Sequence, residues 1–129
     1  MTETRQRVAS GSPYEASIGF SRALRVGNRV LVAGTAPVWP DGSCDPDPGV
    51  QARRCLEIIV AALEAAGATA TDVVRTRTFL TDASDWEAVG SAHGEVFRDV
   101  RPVSTMVVAA GLLDPRWKVE IEAEAIVGE

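Results

Sequence analysis

The segment "VEIEAEAI", residues 119–126, sets three carboxylates, Glu120, Glu122 and Glu124, two positions apart. A carboxylate can serve as a general base on water when burial or a neighbouring charge tunes its proton affinity. The same spacing on a strand also describes a solvated face, so residue type leaves both readings open. Arginine chemistry is offered at two places. In "VVRTRTFL", Arg75 and Arg77 share a strand face with Phe79; Arg77 could hold an anion, or pair across the sheet with Glu120, Glu122 or Glu124. In "RPVSTMVV", Arg101 precedes Pro102, whose ring biases its predecessor toward extended backbone, so Arg101 could aim at a substrate or end a loop.

The remaining reactive types are sparse. His93 is the sole histidine, so no metal site is expected, and no cofactor is implied. It falls in an apolar stripe with Trp86, Val89, Val96 and Phe97, which suits packing or one satisfying hydrogen bond better than acid–base work. Cys44 and Cys55, eleven positions apart, are expected to be thiols. Cys55 follows Arg53 and Arg54 near a helix start, where a thiolate could be favoured, while Cys44 lies in an open loop. Lys118 is the only lysine and sits in a charged β-type run, a poor setting for Schiff-base chemistry.

These side chains need elements to position them. At 129 residues, with 46% hydrophobic and 24% charged residues, the chain reads as one domain over 1–129, its first 16 residues polar and partly loose. "FSRALRVGNRVLVAGTAPV" reads as two strands around a Gly27-Asn28 turn, followed by the Pro/Gly-rich loop "WPDGSCDPDPGV". From Val50 to Ala66, apolar residues recur at three- and four-residue steps before Gly67, the pattern of a capped amphipathic helix. "DVVRTRTFLT" is a strand with Val74, Thr76, Thr78 and Leu80 on one face. A second helix is expected from Ser84, with Glu87 completing a capping box. Strands over 103–109 and 117–127 end the chain, joined through Asp114-Pro115.

The order ββαβαββ describes an α+β sheet with two helices on one face. By simple alternation Phe79, Met106 and Val108 would face away from those helices, beside Arg77 and Ser104, and self-association is the direct way to cover them.

The blocks "GFSRALRVGNRVLVAGTAPV", "QARRCLEIIVAALEAAGATATDVVRTRTFLTDASDWEAV", "RPVST" and "VEIEAEA" resemble, over nearly the whole chain, the RidA or YjgF-like family, the reactive intermediate deaminases. That resemblance implies a chorismate-mutase-like fold assembled as a homotrimer, with ligand clefts between subunits. It implies hydrolysis of enamines or imines to ammonia and a keto acid, with an arginine of a "PARS" motif on the substrate carboxylate and a strand glutamate orienting water. Glu120 matches the glutamate. Ser104 stands where the arginine would, and one neutral hydroxyl cannot replace a permanently charged bidentate fork. Phe20 stands where a ligand-contacting tyrosine would, and Ile58 and Gly90 replace helix asparagines. The chain therefore looks like a divergent subgroup lacking the usual carboxylate anchor.

Three functions follow. The first is a hydrolase of small enamines or imines, with Glu120 orienting water, Ser104, Thr105 and Phe20 contacting the ligand, and Arg77 or Arg101 holding an anion. The second is a noncatalytic trimer that binds a small metabolite or a partner. The third, RNA cleavage, ranks last, because a net charge of −5 and one histidine supply neither a phosphate track nor an acid–base pair. No apolar run approaches the ~20 residues of a membrane span, and the polar start "MTETR" does not read as a signal peptide, so the expected location is the cytoplasm.

Overall fold

A computed structural model describes residues 4–128. Six strands form one mixed sheet: β1 (Arg5–Val8), β2 (Ala23–Val26), β3 (Arg29–Thr35), β4 (Val73–Leu80), β5 (Val103–Val108) and β6 (Val119–Ile126). Their order is β1-β2-β3-β6-β4-β5, and only the β4–β5 pair is parallel. Helices α1 (Pro48–Ala65) and α2 (Trp86–Phe97) pack together on one face. This is the α+β architecture read from the sequence, enlarged by one strand. Arg5–Val8, within the polar start, pairs antiparallel with β2 from Arg5↔Val26 to Val8↔Ala23. Its alternation spans only four residues, too short to register as a pattern.

The core is the helix-facing half of each strand packed on the apolar stripe of α1. Val30, Val32, Val119, Ile121, Ala123 and Ala125 are buried there against Ala52, Cys55, Leu56, Ile59 and Leu63. Helix α1 starts two residues earlier than its periodicity suggests. Pro48 suits the first turn, and the Asp47 carboxylate accepts from Val50 N at 3.0 Å. It ends as expected: Gly67 takes a φ of 83°, and Ala68 N donates to Leu63 O across the cap. The hairpin turn also forms at Gly27-Asn28, where Gly27 alone has positive φ, the glycine-first pattern of a type II′ turn.

Four local expectations change. Strand β4 carries a bulge between Val73 and Arg75, so Val73 turns to the core and Val74 to solvent. A 3-10 turn, Ala83–Asp85, leads into α2 and is capped by Asp82, which accepts from Ser84 N and Ser84 Oγ; α2 itself has no side-chain cap, and Ser84 with Glu87 does not cap it. Trp86 lies off the buried stripe and is 58% exposed. Arg101 is not extended: it has a φ of 56°, and its N–H closes onto Phe97 O at the end of α2. The left-handed cap prevails over the preference that Pro102 imposes.

The strand register also sets the two sheet faces. Thr76, Thr78 and Leu80 pair with Ser104, Met106 and Val108, so these three β5 residues point to the helix side. The opposite face carries Arg75, Arg77 and Phe79 beside Val103, Thr105 and Val107, with Glu120, Glu122 and Glu124 from β6. This reverses the expected placement of Ser104, Met106 and Val108.

Gln51 ties the loops to this frame. Fully buried on α1, it donates to Asp45 O at 2.7 Å and Arg116 O at 3.0 Å, and accepts from Lys118 N at 2.8 Å. Replacing it strands three backbone groups. Gln51→Ala should cost about 3 kcal/mol in a urea unfolding titration, whereas a loss below about 1 kcal/mol would show that water satisfies them.

Candidate functional site

Glu120 sits near the middle of the open sheet face, paired in register with Phe79 of β4 and beside Gly34 of β3. Gly34 falls where β3 and β6 lose regular register between Val32 and Thr35. A Cβ at position 34 would lie 2.8 Å from Glu120 Oε2, so the glycine makes room for the carboxylate. Burial raises the Glu120 carboxyl above its ordinary value; the Arg22 guanidinium opposes that shift and Glu122 adds to it. A half-buried carboxylate of raised basicity is suited to take a proton from water.

Arg22 is the group that sequence reasoning passed over. It stands just before β2, and its Nη2 donates to Gly34 O at 2.7 Å, which places it beside Glu120. Its Nε is buried without a partner, its Cζ lies 5.7 Å above the Phe20 ring, and it makes no ion pair among the described residues. Burial works against its charge, and the carboxylates of Glu15 and Glu120 support it. The available signal was its place two residues after Phe20 in the "GFSRAL" block.

The other candidates divide between the two faces. Arg77 and Thr105 lie on the open face with Glu120, but Arg77 Nη1 is paired with Glu122 Oε1 at 2.7 Å. A parallel bridge joins Arg29 to Glu124 at 2.8 Å, so two of the three β6 glutamates are neutralised across the sheet. Among the described residues the Glu120 carboxylate makes no ion pair. Phe20 joins the cluster through Arg22. Ser104 lies on the opposite face, hydrogen-bonded to Thr76, and Arg101 is exposed beyond α2 with its Nε on Arg98 O. Among the described residues there is no cluster of potential metal ligands. Burial raises both thiols, and Cys55 is fully enclosed in the core, so neither is activated as a thiolate.

Two grooves, of about 340 and 330 Å³, run along α1 beside Val96 and along the β1 edge; neither includes Glu120. Within one chain Glu120 lies half-buried on the open face of the sheet.

A mixed sheet with two helices on one face and a half-buried glutamate without an ion pair among the described residues on the other defines a small α+β protein with a candidate carboxylate site. Comparison with known proteins makes the assignment specific: the family model described as Endoribonuclease L-PSP matches residues 11–127, and the chain belongs to this RidA/YjgF-like family. It is 42% identical over 128 residues, 98% of its length and 96% of the relative's, to an uncharacterized protein of Streptomyces coelicolor. It is 31% identical over 115 residues, 86% of its length and 90% of the relative's, to the 2-iminobutanoate/2-iminopropanoate deaminase of Escherichia coli. A crystal structure from Mycobacterium tuberculosis, of a member of the YjgF/YER057c/UK114 family, superposes with a TM-score of 0.89 at 45% identity, covering 96% of this chain and all of that one. No helix among the described residues is long and apolar enough to cross a membrane.

The raised proton affinity of Glu120 has a thermodynamic consequence. The folded state binds this proton more tightly than the unfolded chain, so the stability it contributes is complete below the ordinary carboxylate value and is lost as pH rises through the folded value. Glu120→Gln should therefore flatten the fall in stability as pH rises from the ordinary carboxylate value through the folded value, and match or exceed the wild type at the upper end, as read by urea unfolding. A variant that loses more stability than the wild type over that range would contradict this placement of Glu120.

Proposed function

We propose that the chain is a hydrolase of small reactive enamines or imines, acting in clefts between neighbouring copies of a homotrimer. The observation that carries the reading is the free Glu120 carboxylate, raised in basicity by burial and set beside Arg22 and Gly34. Family membership, and the deaminase name of the Escherichia coli relative, support the same chemistry.

The imine carbon is already electrophilic, so the protein has only to position water and accept a proton. Glu120 takes one proton as the water oxygen bonds to the imine carbon and the C=N electron pair moves to nitrogen, and it then returns that proton to the nitrogen. The carbinolamine then expels ammonia as the carbonyl forms. Imine and water are consumed, and a carbonyl compound and ammonia are released. Arg22 favours the ionised carboxylate and so opposes part of the shift that burial imposes.

Assembly is supported by what the open face and edge expose. Leu31, Val103, Val107 and Ile126 lie uncovered there, and β5 is an edge strand without a proline or lysine to block pairing. A second copy seated on this region would also supply the wall that Glu120 lacks. The ribonuclease reading finds no support at the site, because the single imidazole lies on the other side of the sheet from Glu120.

The test is ammonia release from imines generated in solution by an amino-acid oxidase, with background hydrolysis resolved. Wild type should accelerate release, and Glu120→Ala should remove at least about 100-fold of that acceleration. No acceleration across charged and uncharged imines would replace the hydrolase with a trimer that binds a metabolite without turning it over.

A further inference from the structure

On the helix side of the sheet an unbroken hydrogen-bond chain ends at Ser104. His93 Nε2 lies 2.8 Å from Thr76 Oγ1, and Thr76 Oγ1 donates to Ser104 Oγ at 2.8 Å. Thr76 has one hydroxyl proton, so while it donates to Ser104 its oxygen accepts from His93 Nε2–H. That arrangement fixes the imidazole tautomer and leaves the Ser104 proton free to donate outward. Thr76 is 1% exposed, whereas Ser104 opens to the surface at the sheet edge. Burial favours the neutral form of His93, and among the described residues no charged group is hydrogen-bonded to any of the three.

The surroundings are largely apolar, with Met106 partly exposed beside the hydroxyl. Met106 is two residues from Ser104 on the same face, and its Cε lies 3.7 Å from where a Cβ would stand on Gly90, one turn before His93. Opposite Met106 in the β4–β5 register, Thr78 Oγ1 is buried with no partner. A flexible thioether thus separates an oriented hydroxyl from an unsatisfied one.

We propose that Ser104 is a specificity-determining residue that donates to an uncharged acceptor on the ligand, an amide or ketone oxygen, with the ligand's apolar part against Met106 and Gly90. Thr76 and His93 are positioning residues that hold the hydroxyl. A carboxylate would exchange its hydration for one neutral hydrogen bond and no opposing charge, a losing trade. The inference builds on the deaminase reading, naming its substrates as imines or enamines that carry a neutral carbonyl where a carboxylate would otherwise sit.

The experiment titrates the full-length protein with butyramide and with butyrate while following the backbone amides of Ser104 and Met106 and the His93 imidazole by NMR. Butyramide should shift all three saturably, and butyrate should bind at least about tenfold more weakly. Thr76→Val should weaken butyramide about tenfold with the rest of the spectrum unchanged, and Thr76→Ser should restore it. Ser104→Arg should reverse the preference. Butyrate binding as tightly as butyramide, an absent shift at Ser104, or an unaffected Thr76→Val variant would overturn the proposal. Butyramide preference without any ammonia release would sink the hydrolase and leave this recognition standing. Ammonia release with no butyramide preference would do the reverse.

Discussion

The alternation of β6 at the middle of the sheet is the constraint on which the rest depends. Val119, Ile121, Ala123 and Ala125 must face α1 to close the core, and the strand period then commits Glu120, Glu122 and Glu124 to the other side. Two of those carboxylates are neutralised by arginines on flanking strands, and the third is left free beside a glycine that gives it space. The core and the candidate chemistry are two faces of one strand. A one-residue slip of β6 would lose both.

The same constraint separates residues that the sequence places in one site. Ser104 pairs with Thr76 on the helix side, and Glu120 pairs with Phe79 on the open side, so the sheet stands between them. One chain cannot bring both to one small ligand. A cleft that uses both must take Glu120 from one copy and Ser104 from another, which makes assembly part of the proposed chemistry and not only a cover for apolar surface.

Much of the fold was legible because it is written in long periodic runs with clear punctuation. Helix α1 with Gly67 behind it, the hairpin at Gly27-Asn28 and the alternating β6 all belong to this class. Strand β1 was hidden by its brevity, and the bulge in β4 by the fact that nothing local marks the extra residue. The face of β5 was illegible because Val103–Val108 is apolar or small on both sides, so only its parallel register with β4 decides where Ser104 points. Glu120 was visible as a candidate through the family blocks, but its freedom from an ion pair was not. Arg22 carries no motif; it matters through a carbonyl of β3 and a ring two residues away, both set by the fold.

The central claim is that a working site is shared between copies, and subunit complementation tests it directly. Glu120→Ala and Ser104→Arg chains, each inactive alone on uncharged imines, would be co-expressed and purified as mixed oligomers. Clefts that join the intact Ser104 of one chain to the intact Glu120 of the other should restore ammonia release. Mixed oligomers of confirmed composition that remain as inactive as their parents would contradict the shared site.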